Sequence, residues 1–274
     1  MWPFRPKPLL EPEMSDWMFD QAAWLLSAHS HRAAFAAAQL LPLSEKAFPS
    51  QGARGHALAE CMLSHVLRYA GAEKLRVRLV PTNDSERYRQ DGPGPSVQPR
   101  MTAAGTYRSG GFAAEISYDE SLLKIPADLI AVLAHEVAHA VLDFGAGRAP
   151  PGDEEFEEMR TDFTAVFLGF GFYLAQYRAD TRVMSAETAH EWKGLFMYYM
   201  NLREISFATA LFCAARGIEK SPVLRRAPGA AVPHLKRAFA DIAREDSRVA
   251  ALRALAKDAA GAGPGLRLVP GGRN

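Results

Sequence analysis

The sequence predicts an α+β protein, mostly helical, with a small sheet placed just before a buried central helix. Three observations lead there. Apolar residues recur at helical spacing along most of the 274-residue chain, while only short stretches alternate as half-buried strands do. Hydrophobic residues make up 48%, enough for a sizeable core and too many for a disordered chain. Gly/Pro-rich segments punctuate the elements and set their order.

Residues 1–13 are a proline-rich, extended lead-in, and one or two amphipathic helices follow between Ser15 and Ala38. A helix fits Arg54 to Tyr69, ending at Gly71. Arg76–Val80 alternates charge with apolar residue, as a half-buried strand does. The Gly-, Pro-, Ser- and Arg-rich run from Asn83 to Gly111 reads as a long surface loop. Within and after it, Thr106–Tyr107 and Ala113–Tyr118 read as short strands joined at Gly110-Gly111. Pro126 opens the central helix, which runs to Asp143. After the loop from Gly145 to Gly152, Asp153 caps an acid-headed helix to about Ala179. Helical stretches near 186–216 and 234–256 form a helical C-terminal half. The expected organisation is thus an N-terminal lead-in with helices over 1–53, a main domain over 54–258 and a mobile tail over 259–274.

Charge narrows the function classes. Lys+Arg number 32 and Asp+Glu 31, a net charge of +1, which argues against a dedicated nucleic-acid binder. The loop arginines between Arg76 and Arg108 read as an ordinary basic surface. Neither a secretory signal nor a membrane span is visible, so no membrane partner and a cytoplasmic location are expected. The two cysteines, Cys61 and Cys213, read as buried reduced thiols. His29 and His31, in an alanine-rich segment, read as surface residues.

One pentapeptide carries the chemistry: His135-Glu136-Val137-Ala138-His139. Histidines four apart stand on one helix face, so both imidazoles reach a single ion. Glu136, next to the first of them, is placed to take a proton from a water activated by that ion. The uncharged flanks, free of Gly and Pro, keep this helix continuous and buried. A catalytic zinc takes three protein ligands and leaves a position open. The third donor is sought on the next helix, where Glu158 is the first choice, Asp162 the second and Glu157 the third. With Glu158 as ligand, Asp162 accepts the remaining N–H of a ligand histidine.

The pattern His135-Glu136-x-x-His139 followed by Glu158-x-x-x-Asp162 resembles the gluzincin clan of zinc metallopeptidases, the thermolysin-like hydrolases. The resemblance covers about 30 residues. It implies a zincin-like fold, with Zn2+ on His135, His139 and Glu158, Glu136 as general base and Asp162 bracing a ligand histidine. It also implies a peptide or protein substrate held along an edge strand, for which Ala113–Tyr118 is the candidate. The runs Thr161–Gly171 and Leu202–Leu211 are also similar to a group of bacterial HExxH proteins. His190, Tyr198 and Tyr199 are positional candidates for an oxyanion donor. The rival reading is a non-catalytic zinc protein of the same fold that serves as a partner-binding or regulatory module; a third is a protease dedicated to one intracellular protein.

Overall fold

The computed structural model describes residues 7–82, 105–110, 113–145, 155–180 and 199–261. Helix α1 spans Pro12–Ser27 and α2 spans Arg32–Ala37. Helix α3 spans His56–Tyr69 and leads into strand β1, Arg76–Thr82. Strands β2 (Gly105–Gly110) and β3 (Ala113–Asp119) complete a three-stranded sheet of order β1-β3-β2. β3 runs parallel to β1, with Leu79 opposite Ile116, and antiparallel to β2, with Tyr107 opposite Ile116. Ala114, Ile116 and Tyr118 alternate along β3 and are buried, so one face of the sheet is turned to the core.

Two expectations change here. Ala113–Tyr118 is the central strand, hydrogen-bonded on both sides, so among the described residues the edge strands are β1 and β2. Adjacent strands in sequence pair as expected, but β1 takes the other side of β3 through a parallel pairing that local alternation cannot reveal. His29 and His31 are also not surface residues: they are 0% and 3% exposed. Their rings pack edge-on against Trp24 and Phe35, and His31 Nε2 lies 2.6 Å from the carbonyl oxygen of Ala70. Burial lowers the pKa of both.

Helix α4, Pro126–Phe144, follows a 3-10 turn over Glu120–Lys124. Proline at its first turn presets φ and gives up an N–H that has no helical partner there. Fourteen of its 19 residues are buried, so it is enclosed on nearly all sides rather than lying on the surface. Alanines at 131, 134, 138 and 140 allow neighbours to approach closely; α3 and the two helices that follow α4 in the chain pack around it, and β2 and β3 lie against it.

Helix α5 spans Glu155–Ala165 and α6 spans Gly171–Asp180, where the sequence predicts one continuous helix. Between them lies a π turn, Val166–Phe170, broken at Gly169, whose φ is 101°. A Cβ there would collide with the carbonyl oxygen of Gln39, so only glycine fits. The Gly169 carbonyl is not wasted by the break; it accepts from the Leu41 N–H at 3.0 Å.

The C-terminal helices are α7 (Leu202–Ala215), α8 (Lys220–Arg226), α9 (Val232–Ile242) and α10 (Asp246–Gly261). Asn201 caps α7 through a reciprocal box with Glu204. The stretch expected as one helix over 234–256 is two, separated at Ala243–Glu245. One apolar cluster runs from Leu9 to Ala259, and α1 and α2 contribute to it along with α4, α7 and α10. Cys213 is buried and Cys61 only half-buried, both as free thiols. Among the described residues no helix is long and apolar enough to cross a membrane. Of the long loop expected over 83–111, residues 105–110 are strand β2 and the rest lies outside the described residues, as do most of the loop expected over 145–152, the Asp153 cap, the 186–198 stretch and most of the tail.

Candidate metal centre

Helical spacing stacks His135 and His139 on one face of α4, their ring centroids 4.8 Å apart. Helix α5 packs beside α4 and brings its own pair, Glu158 and Asp162, to that face. His135 Nε2 lies 3.1 Å from Glu158 Oε2, and His139 Nε2 lies 3.3 Å from the same oxygen. The three donor atoms all fall within 4.8 Å of one another. His135, His139 and Glu158 therefore form a group at metal-binding distance.

The donor set fits a divalent ion on two counts. Tetrahedral bonds of about 2.0–2.1 Å put neighbouring donors about 3.3–3.4 Å apart, close to the two distances to Glu158. The other nitrogen of each imidazole is already engaged, which leaves the Nε2 lone pairs for the ion. His135 Nδ1–H donates to Asp162 Oδ1 at 2.8 Å. His139 Nδ1 lies 3.2 Å from Thr161 Oγ1, whose own proton goes to the Glu157 carbonyl at 2.9 Å. A hydroxyl has one proton, so towards His139 Thr161 accepts. Both histidines are thus held as Nδ1–H tautomers.

Electrostatics follow from burial and pairing. Burial alone would push His135 down, but hydrogen bonds to Asp162 and Glu158, with their charges and that of Glu136, raise it to about 10. Burial likewise opposes ionisation of Glu158, yet its two histidine partners hold its carboxyl well below the usual carboxylate range. Asp162 is fully enclosed, and against that burial Arg178, His135 and the Met200 N–H keep it ionised. Glu136 is also buried; its pKa is raised by burial, with Glu158 and Asp162 adding to the shift and the two histidines opposing it. The Glu158 side chain is 31% exposed, against 2% for Asp162, so the group is open to solvent on the Glu158 side and closed behind His135.

The structure brings together His135, Glu136, His139, Glu158 and Asp162. Asp162 meets His135 through Nδ1 and lies outside the three-donor group, while Glu158 lies within it. Tyr199 stands by the site, its ring centroid 5.3 Å from that of His135. His190 and Tyr198 lie outside the described residues. Three contributors were not foreseen: Thr161, Arg178 and the Met200 N–H, which reaches Asp162 Oδ2 at 3.0 Å. For Thr161 a signal did exist. A helical threonine commonly donates to the carbonyl four residues back, which leaves its oxygen as an acceptor on the Glu158 side of α5. Compared with known protein families, curated proteins and solved structures, the chain finds no match in any of the three.

Proposed function

We propose that this chain is a zinc metallopeptidase with a restricted peptide or protein substrate. The observation that supports it is a His–His–Glu donor set, open on one side, with a buried carboxyl group of raised pKa on the same helix turn. Two imidazoles and a carboxylate suit Zn2+ better than the hard-oxygen sites of magnesium or calcium. When bound there, zinc supplies Lewis acidity, which lowers the pKa of a water towards neutrality and polarises a carbonyl.

The chain's own residues do the rest. His135, His139 and Glu158 bind and orient, and Asp162 and Thr161 hold the imidazoles with Nε2 forward. Glu136 receives the proton of the attacking water on a carboxylate oxygen and passes it to the departing amine nitrogen. The zincin-like fold belongs to this proposal, supported by a small sheet packed on the histidine-bearing helix.

The test compares wild type with Glu136→Gln on a peptide library derived from a whole proteome, with new termini read by mass spectrometry. Wild type generates new termini; Glu136→Gln keeps one equivalent of zinc and loses at least about 10²-fold in rate. Cleavage that survives the substitution removes Glu136 as the base. A wild type that holds zinc yet cuts nothing favours the non-catalytic, partner-binding reading.

A further inference from the structure

The closed side of the centre, behind His135, is organised by one arginine. Arg178 lies on α6, 16 positions after Asp162. In an unbroken helix that separation spans about 24 Å, beyond the combined reach of the two side chains. The break at Gly169 turns the chain back, and Arg178 Nη2 donates to Asp162 Oδ2 at 3.2 Å. The same guanidinium lies over the Tyr199 ring, 4.9 Å from its centroid. Asp162 holds His135 through Nδ1, and Tyr199 packs on the His135 ring. Both groups that bear on His135 from behind are therefore held by Arg178.

We propose that Arg178 is a positioning residue of the metal centre: it fixes Asp162 by an ion pair and Tyr199 by its planar face, and through them sets the direction of His135 Nε2. This role rests on His135, His139 and Glu158 being the ligands. Arginine suits it because one flat cation donates in its plane and stacks on an aromatic ring with its face. Lysine supplies the charge without the face. The position is enclosed, with 11% of the Arg178 side chain exposed, so solvent screens the pair weakly.

The experiment titrates the full metal-free chain with Co(II) and records both the affinity and the visible absorption of the bound ion, which reports ligand geometry. Arg178→Met is expected to bind one Co(II) about 10- to 100-fold more weakly, with a shifted spectrum. Arg178→Lys, which restores the charge beside Asp162, recovers most of the affinity but keeps an altered spectrum. A folded Arg178→Met protein with wild-type affinity and spectrum overturns the role. Should Arg178→Met fail to fold, Arg178→Lys decides alone, a wild-type spectrum counting against the proposal. Wild type that takes up no Co(II) overturns the ligand set itself, an outcome distinct from a normal wild type beside an indifferent Arg178 variant.

Discussion

Thr161 accepts the Nδ1–H of His139 at 3.2 Å because its single proton is committed to the Glu157 carbonyl at 2.9 Å. The hydroxyl so becomes a tautomer lock for the second histidine, as Asp162 is for the first. Thr161→Val keeps the shape and removes the acceptor. Outer partners of ligand histidines are worth about 10–100-fold in metal affinity, so zinc is expected to bind weaker by at least tenfold, while Thr161→Ser binds as wild type does. Calorimetric titration with zinc reads this directly. Equal affinity in Thr161→Val and wild type rejects the lock.

Without a metal, His135 is paired with two carboxylates and its pKa rises to about 10. A histidine raised in this way stabilises the metal-free fold fully below its unfolded pKa of about 6.5, and that contribution is lost as pH climbs towards 10. Metal uptake must remove the proton. At pH 8 at least one proton is expected to be released for each zinc bound, more as a zinc-bound water ionises, and the apparent Kd should fall at least about tenfold per pH unit over this range. Zinc titrations in buffers of differing ionisation enthalpy measure the count; a value near zero would contradict the pairing.

His29 behaves in the opposite sense. It is fully buried, its Nδ1 accepts from the His31 N–H, and its Nε2 has no hydrogen-bond partner among the described residues. Burial, with His31 adding to it, lowers its pKa to about 4. The fold therefore holds the ring neutral, and the contribution is complete above pH 6.5. It is lost as pH falls from 6.5 to 4, with about 3 kcal/mol at stake. Urea unfolding at a series of pH values should show a slope shallower by about one proton in His29→Gln across that window. An unchanged slope would mean that His29 is already charged in the native state.

Gly169 adopts φ 101° with Gln39 immediately against it, whereas Gly217 has φ 65° and open space around its missing Cβ. Alanine at Gly217 meets only backbone strain, about 1–2 kcal/mol. At Gly169 it meets the same strain and a blocked position, so Gly169→Ala is expected to lose more than about 2 kcal/mol. It should also weaken zinc binding, since the break is what returns Arg178 to Asp162. Thermal unfolding of the two variants side by side is the check; equal losses would show that the Gln39 contact gives way.

The parts of the centre that were legible share one property: local periodicity. His135 and His139, and again Glu158 and Asp162, are pairs four apart, and the Gly/Pro segment between them announced that the second helix returns to the first. The central helix was readable from Pro126 and the uncharged flanks. What failed was non-local. Nothing in Ala113–Tyr118 indicates that β1 will pair on its far side. The alanine-rich context of His29 conceals the Trp24 and Phe35 rings that enclose it. Arg178 reaches the site through a reversal at one glycine, and the need for glycine there comes from Gln39, 130 positions earlier. No window of sequence contains both.

That reversal also orders events in time. The Leu41 N–H bonds the Gly169 carbonyl, and the Met200 N–H bonds Asp162. As the chain leaves the ribosome, the histidine helix emerges before either carboxylate partner, and the centre lacks its last fixed contact until Met200 is out. The strap around residue 41 must wait, uncommitted, while well over a hundred residues are added. The three-donor group is accordingly completed late in biogenesis, and the histidine helix first has only α3, β2 and β3 beside it, with α5 and α6 still to come.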